Sequence, residues 1–166
     1  MYQFLGEYEL KVDAKNRIAL PAALRKQFNG MNHFVISRAL DKCLNFYPIE
    51  AWRQVEEELE KLNPFVKKER DFARFVRGGA TEVILDAQGR MVLPKRLMQY
   101  ANIESDLILL GNGNLFEMWD LITYETMLDI DPEDFSLLAE EVMTKEEEVE
   151  EAPLLDPSIV VPLGRR

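Results

Sequence analysis

The sequence predicts a mixed α+β, β-rich protein that is built from two copies of one small unit. Residues 10–24 read LKVDAKNRIALPAAL and residues 83–97 read VILDAQGRMVLPKRL, so one pattern recurs 73 positions later. The match continues between residues 43–52, CLNFYPIEAW, and residues 115–124, LFEMWDLITY, at a shift of 72. A repeat of this length that occurs only twice is too long for a solenoid and indicates two copies of one domain half.

Each copy opens with two predicted strands. Residues 8–12 alternate apolar and charged side chains, which is the period of a half-buried strand, and residues 82–85 are their counterpart. The next strands, residues 17–20 and 90–93, both stop at a proline. The sequence therefore predicts a strand, a tight connection and a second strand in each copy.

The connection between these strands is predicted to be a tight turn with two turn-structuring residues. Asn16 and Gly89 occupy the fourth position of the turn, where both residue types tolerate a positive φ. Asp13 and Asp86 lead the turn, and an Asp carboxylate accepts hydrogen bonds from the backbone amides that follow it.

The remaining elements follow in the same order in both copies. Pro21 and Pro94 suit the first turn of a helix, and Gly30 and Asn102 suit its end. Two further strands come next, and an apolar stripe at helical spacing follows them in the first copy. The strands are predicted over residues 34–37, 44–47, 107–110 and 115–119, and the helix over residues 49–62.

A basic amphipathic helix is predicted between the copies, at residues 64–79, with Asn63 and Pro64 as its cap and first turn. Its basic face is either a solvated surface or a contact for phosphate or an acidic neighbour. At 100° per residue, that face carries Lys67, Arg70, Arg74 and Arg77, and the opposite side carries Phe65, Phe72 and Val76.

Charge is distributed unevenly along the 166 residues. The net charge is −10, but residues 1–100 are net +4 and residues 101–166 are net −14. A mildly basic body is compatible with a phosphate-bearing partner, because the local potential and not the total governs binding. Within the acidic part, KEEEVEEAP is predicted to be solvated or frayed, whereas LLDPSIVVPLGRR has enough apolar residues to dock.

Composition and motifs argue against several classes of protein. The sequence shows neither the pattern of a secretory signal nor an apolar stretch long enough to span a membrane, so we expect a cytoplasmic protein. A single His33 and a single Cys43 offer no nucleophile–base pair, and both are expected to be structural. We therefore predict no enzyme activity, no catalytic residues, no metal or other cofactor, and no membrane or small-molecule partner.

The repeated unit resembles a known family. Residues 12–26, VDAKNRIALPAALRK, resemble the swapped-hairpin β-barrel DNA-binding family named after AbrB and SpoVT. Two tandem copies in a chain whose residues 6–28 read GEYELKVDAKNRIALPAALRKQF are similar to the MraZ family of transcriptional regulators, over residues 1–130. The resemblance implies two SpoVT-AbrB-like halves that interlock into a pseudo-two-fold β-barrel with flanking helices.

The resemblance also implies an organisation and a partner. The repeats would occupy residues 1–63 and 80–130, joined by the helix at residues 64–79 and followed by an acidic C-terminal extension at residues 131–166. A homo-oligomeric ring would bind repeated short elements in promoter DNA and autoregulate a division and cell-wall gene cluster. Its location would be cytoplasmic and nucleoid-associated.

The DNA contacts are expected on the strand-turn-strand surface around each arginine. The second copy departs from the first, since Met98 and Gln99 replace Arg25 and Lys26, although Lys95 and Arg96 stand just before them. The two copies are therefore not expected to be equivalent in DNA contact. The candidate DNA-binding residues are Lys11, Lys15, Arg17, Arg25, Lys26, Arg90, Lys95 and Arg96.

Two alternatives remain open from the residues. Arg17 and Arg90 either close an ion pair with the aspartate of their own turn or point outward to bind phosphate or a guanine edge. The protein is either a DNA-binding regulator or a protein-binding scaffold or antitoxin-like module that acts through its acidic C-terminal segment. Candidate residues for self-association, each equally suited to the core, are Trp52, Phe65, Phe72 and Tyr124.

Overall fold

The computed structural model describes residues 2–150, with side chains through residue 144. The chain divides into two units, Met1–Met127 and Leu128–Arg166. The described part contains eight strands and six helices, which confirms the mixed α+β class that the sequence predicts. Residues 151–166, which include the apolar segment expected to dock, lie outside the described residues.

The elements follow the predicted order, and most ends differ from prediction by one or two residues. The first copy comprises β1 (Glu7–Lys11), β2 (Arg17–Ala19), α1 (Ala22–Arg25) with a 3-10 turn at Lys26–Phe28, β3 (His33–Arg38), β4 (Leu44–Pro48) and α2 (Ile49–Glu60). The joint and second copy comprise α3 (Lys67–Gly79), β5 (Thr81–Ile84), β6 (Arg90–Val92), α4 (Lys95–Tyr100), β7 (Asp106–Asn112), β8 (Leu115–Asp120) and α5 (Leu121–Leu128).

Strand pairing interleaves the two copies. Six strands form one sheet in the order β1-β7-β8-β4-β3-β5, and β2 pairs with β6 in a separate two-stranded ribbon. All these pairs are antiparallel. The first strand of each copy pairs with the third strand of the other copy, and exchanging the copies leaves the strand order unchanged. The pairing is therefore pseudo-two-fold.

The expected closed barrel is not seen among the described strands. In the six-stranded sheet, β1 and β5 form the two ends and pair with one neighbour each. The two-stranded ribbon is hydrogen-bonded only within itself and through the turns beside it. The observed arrangement is thus a six-stranded sheet and a ribbon, both shared by the two copies.

A single main core lies between the elements of both copies. Phe28, from the 3-10 turn, is 2% exposed and its ring lies 4.6 Å from that of Phe34 and 6.0 Å from that of Phe116. The matching positions after Pro94 bury Leu97 and Ala101 in the same core. Neither copy alone encloses this apolar surface, so the two copies share one core.

Two smaller clusters are equivalent by the repeat. Tyr47 packs on Trp52 with ring centroids 5.6 Å apart, and Trp119 packs on Tyr124 at 6.4 Å. Trp52 is 8% exposed and Tyr124 is 4% exposed. Of the two alternatives for these residues, self-association or core, the structure therefore favours the core, because each is buried against its own chain.

Helix α3 is shorter than predicted and begins after Asn63 and Pro64. The side chain of Asn63 accepts a hydrogen bond from the amide of Phe65 at 3.0 Å, which makes a turn before the helix and leaves Phe65 93% exposed. Phe65 therefore does not lie on the far side of the helix. Of the other two apolar residues predicted on that side, Phe72 is 44% exposed and Val76 is buried.

The basic face of α3 is largely paired with carboxylates. Arg77 bonds Glu56 at 3.1 Å and Glu60 at 2.8 Å, both on α2. Lys67 and Arg74 pair with Asp71 of α3 itself. An acidic neighbour within the chain thus takes up part of the predicted contact surface.

Helix α6 (Pro132–Glu150) belongs to the second unit. It covers part of the predicted charge run, and the backbone is helical through Glu150. Its first turn carries Glu133 and Asp134. Several of its apolar side chains are exposed, namely Phe135, Leu137, Leu138, Val142 and Met143.

Candidate nucleic-acid interface

The ribbon of β2 and β6 has one buried face and one exposed face. Ile18 pairs with Met91 in register, and these side chains are 1% and 3% exposed. Strand side chains alternate between faces, so the neighbouring positions point away from the core. Those positions are the cross-strand pairs Arg17 with Val92 and Ala19 with Arg90.

The two arginines are diagonal neighbours on the exposed face of the ribbon. Residues in that relation lie about 7–8 Å apart in an antiparallel pair. Backbone hydrogen bonds extend the ribbon into the turns, from the amide of Leu20 to the carbonyl of Gly89 at 2.9 Å and from Leu93 to Asn16 at 2.7 Å. Each turn is thus joined to the strand that follows the other turn.

The turn of the first copy is held by one carboxylate. Asp13 Oδ1 accepts hydrogen bonds from the amides of Lys15 at 2.8 Å and Arg17 at 2.9 Å. Asp13 Oδ2 accepts one from Arg17 Nε at 2.9 Å. Asn16 has φ of 58°, the positive value that the sequence predicts at this position.

The turn of the second copy repeats this geometry. Asp86 Oδ1 accepts hydrogen bonds from the amides of Gln88 at 2.9 Å and Arg90 at 2.8 Å, and Asp86 Oδ2 accepts one from Arg90 Nε at 2.9 Å. Gly89 has φ of 75°. The same bonds in two different surroundings indicate that the turn sequence itself produces this geometry.

Hydrogen bonding lowers the pKa of both turn aspartates. For Asp13 the largest cause is the amide of Arg17, and for Asp86 it is the amide of Arg90. The negative charge faces Nε of each arginine. The outer Nη1 and Nη2 of Arg17 have no hydrogen-bond partner within residues 2–144, and Nη2 of Arg90 has only a 3.5 Å contact with Gln88.

The two readings of the arginines are therefore compatible in one geometry. The Asp–Arg ion pair rigidifies the turn through Nε, while the outer edge of each guanidinium remains available for an acceptor. An arginine fork of this kind can bind phosphate or guanine in a bidentate manner.

The other candidate cations are exposed and lie within a few residues of the ribbon strands along the chain. Lys11 ends β1, opposite Asp106 of β7. Lys15 lies in the first turn, Lys26 in the 3-10 turn after α1, and Lys95 and Arg96 in the first turn of α4. Arg25 differs, because it is only partly exposed and its Nε donates to the carbonyl of Leu20 at 3.1 Å.

Ala19 and Val92 are exposed positions that the sequence analysis missed. Val92 is 57% exposed although it is apolar and lies in a strand. Only the register between the copies places these residues beside the arginines. The one sequence signal was their equivalence at a shift of 73, with a small residue in one copy and a branched one in the other.

His33 begins β3 and Cys43 directly precedes β4, so neither residue belongs to the ribbon. Cys43 is buried, and burial raises the pKa of its thiol to about 12, so it is a poor nucleophile. His33 Nε2 lies 3.4 Å from Glu82 Oε1. Within the described residues, no three His, Cys, Asp or Glu side chains are grouped to hold a metal ion, and no helix combines the length and apolarity of a membrane span.

The fold and the ribbon define a class of protein: two tandem α+β repeats that share one sheet and present paired Asp–Arg turns. A family model described as "MraZ protein, putative antitoxin-like" matches residues 3–75 and 77–145, close to the whole described chain. The chain belongs to the MraZ family.

Named relatives support the same assignment. A protein of Christiangramia forsetii named transcriptional regulator MraZ is 42% identical over 146 residues, covering 86% of this chain and 94% of the relative. Proteins of the same name from Flavobacterium psychrophilum and Clostridium tetani are each 40% identical, over 86% and 84% of this chain and 93% and 96% of their own lengths. The chain is a transcription regulator of this family and not an enzyme.

Proposed function

We propose that this protein is a sequence-specific DNA-binding transcriptional regulator and that the exposed face of the β2–β6 ribbon enters the major groove. The observation that supports this most is the pair of arginines, Arg17 and Arg90, each held at Nε by an aspartate and each open at its outer edge. The major groove, about 12 Å wide, admits a two-stranded antiparallel ribbon.

The chemistry of the exposed face suits base recognition. The outer nitrogens of an arginine match the O6 and N7 acceptors of guanine, and apolar side chains contact the methyl group of thymine. Arg17 and Arg90 supply the first kind of contact. Ala19 and Val92, directly across the ribbon from the arginines, supply the second.

The exposed cations around the ribbon would bind phosphates and set the register of the ribbon on the duplex. Because these contacts displace counterions, they make binding salt-dependent, with a slope of roughly 0.9 for each neutralised phosphate. The proposed phosphate contacts are Lys11, Lys15, Lys26, Lys95 and Arg96.

Fluorescence anisotropy on DNA from upstream of the protein's own gene tests the proposal. Arg17→Ala and Arg90→Ala should each weaken specific binding by about 1–3 kcal/mol and lower the preference over random DNA. The matched control is Arg53→Ala. Arg53 is an exposed arginine of α2, which packs against β3 and β4 and not against the ribbon.

The outcomes separate cleanly. If the arginine variants retain wild-type circular dichroism and bind with wild-type affinity and preference, the ribbon is not the recognition surface. An equal loss in the Arg53→Ala control would show that overall charge, not the ribbon, governs binding.

Assembly and location complete the proposal. The two SpoVT-AbrB-like halves would act as one unit through the sheet and ribbon that they share, and several chains would form a homo-oligomeric ring that engages repeated short promoter elements. Autoregulation of a division and cell-wall gene cluster, from a cytoplasmic and nucleoid-associated location, follows from the family resemblance. Linked modules on spaced repeats gain affinity through effective concentration.

Light scattering, together with binding to DNA that carries different numbers of the promoter element, tests the proposed ring. The protein should form a closed assembly above dimer mass, and binding should weaken by about a hundredfold when the DNA carries one element instead of several at native spacing. A monomer that binds single and multiple elements with equal affinity would contradict a ring.

A further inference from the structure

Arg25 of the first copy packs against the turn of the second copy. A Cβ atom on Gly89 would lie only 2.5 Å from Arg25 Cδ, 2.6 Å from Nε and 2.9 Å from Cζ. The side chain therefore occupies the space that any other residue at position 89 would need.

A short chain of hydrogen bonds ties the same three residues together. Arg25 Nε donates to the carbonyl of Leu20 at 3.1 Å, and the amide of Leu20 donates to the carbonyl of Gly89 at 2.9 Å. Leu20 is 2% exposed and cannot shift freely. Arg25 is thus anchored at its Nε and rests its stem on the second turn.

The equivalent place in the first turn has no arginine. By the repeat, Gly89, Arg25 and Leu20 correspond to Asn16, Met98 and Leu93. The backbone bond from Leu93 to Asn16 is present, but Met98 is buried and carries no charge.

Comparison of the two turns also explains why position 89 is a glycine. Asn16 adopts φ of 58° in a turn with the same hydrogen bonds, so this turn does not need glycine for its backbone conformation alone. The distinctive requirement at position 89 is the space that Arg25 fills.

We propose that Arg25 is a positioning residue: it braces the second turn, and through it Arg90, and is not itself a phosphate contact. The part of this inference that concerns DNA rests on the proposed function. The second turn would then hold its arginine more rigidly than the first, so that the two halves of the ribbon present unequal recognition groups.

Four variants separate bracing from phosphate binding. Arg25→Met removes both the donor and the charge. Arg25→Gln places an amide N–H donor at the same side-chain position as Nε but removes the charge. Gly89→Asn keeps a residue that accepts positive φ but displaces Arg25, and Asn16→Gly is its matched control in the first turn. Arg25 borders an open cavity of about 410 Å³, into which it can move without unfolding the chain.

Two measurements are made on each variant: amide hydrogen exchange at Leu20 and Arg90, and anisotropy across a salt series with DNA from upstream of the gene. Bracing predicts that Arg25→Met and Gly89→Asn speed exchange at both amides by about tenfold and weaken DNA binding without changing the salt slope. Arg25→Gln should stay close to wild type. The double variant Arg25→Met with Gly89→Asn should be no worse than either single variant, because both substitutions remove the same contact.

Several outcomes overturn the inference. A salt slope lowered by roughly 0.9 in both Arg25→Met and Arg25→Gln, with unchanged exchange, would make Arg25 a phosphate contact. Additive effects in the double variant would show that Arg25 and Gly89 act independently. If the wild-type protein does not bind the DNA at all, the proposed function fails, while the exchange data still decide whether Arg25 braces the turn.

Discussion

The two turns of the ribbon hold their arginines with the same three bonds but differ in what surrounds them. Asp13 and Asp86 bind Arg17 and Arg90 at matching distances. Around them, the first turn carries Lys15 and Asn16, whereas the second carries Gln88 and Gly89 with Arg25 resting on it. The residues that both turns share, namely the aspartate, the alanine after it, a residue with positive φ and the arginine, accompany the same geometry, and the other residues differentiate the copies.

The distribution of cations shows the same divergence. Arg25 and Lys26 follow the first proline by four and five residues, whereas Lys95 and Arg96 follow the second proline at once. The pseudo-two-fold pairing of the strands remains, although the charged surface no longer obeys it. The strand pairing and the aspartate hydrogen bonds are thus the same in both copies, whereas the charges that face outward differ.

Separating the copies should have the largest effect. In fragments 1–79 and 80–130, the strands β1, β2 and β3 lose their partners β7, β6 and β5. Each fragment would expose apolar surface that the other covers, so neither should fold as a monomer, and mixing them should restore structure. Near-UV circular dichroism and sedimentation measure this. A monomeric fragment with cooperative unfolding would show that one copy is self-sufficient.

Acidification should weaken both turns to a similar extent. The folded-state pKa values of Asp13 and Asp86 lie below the ordinary 3.8, so the ionised carboxylates stabilise the fold above about pH 3.8. That stability is lost as the pH falls through the folded-state pKa. Urea denaturation measures the free energy of unfolding at pH 6 and pH 3. The decrease between these two pH values should be smaller for Asp13→Asn and Asp86→Asn than for the wild type.

The comparison between the turns gives this prediction a control. Since the three bonds are the same, the two single variants should change the pH dependence equally. A pH effect confined to Asp86 would instead indicate that Arg25 contributes to the energetics of the carboxylate in the second turn.

Removal of the acidic extension should change DNA binding more than stability. The first unit, Met1–Met127, contains the three buried clusters. Truncation after Asp129 should leave the melting temperature nearly unchanged and strengthen binding to random DNA at low salt, because residues 130–166 carry a net charge of −8 and their removal changes the net charge from −10 to −2. A large loss of thermal stability would show that residues 130–166 belong to the core.

Exchange of the small residues of the ribbon should have the smallest effect. Val92→Ala and Ala19→Val alter exposed side chains, so each should change stability by less than about 0.5 kcal/mol. Val92→Ala should reduce the preference for thymine over uracil at one base step of the bound DNA. An unchanged preference would place Val92 outside the contact.

The sequence by itself determined the features that depend on neighbouring residues. The Asp–Arg turns, their positive-φ residues and the order of strands and helices all follow from patterns within a few positions. In the first turn every bond from Asp13 reaches a residue no more than four positions away, so its partners can be read along the chain. The family resemblance rests on these same local patterns.

Only the tertiary structure decided which copy supplies each partner. The pairing of β1 with β7, the burial of Trp52 and Tyr124, and the open ends of the sheet were not predictable from periodicity. The contact of Arg25 with Gly89 joins residues in different copies. Such contacts depend on how the apolar surfaces of the two copies pack against one another. The alternation of residues in a strand predicts that one face is buried, but it does not predict which strand covers that face.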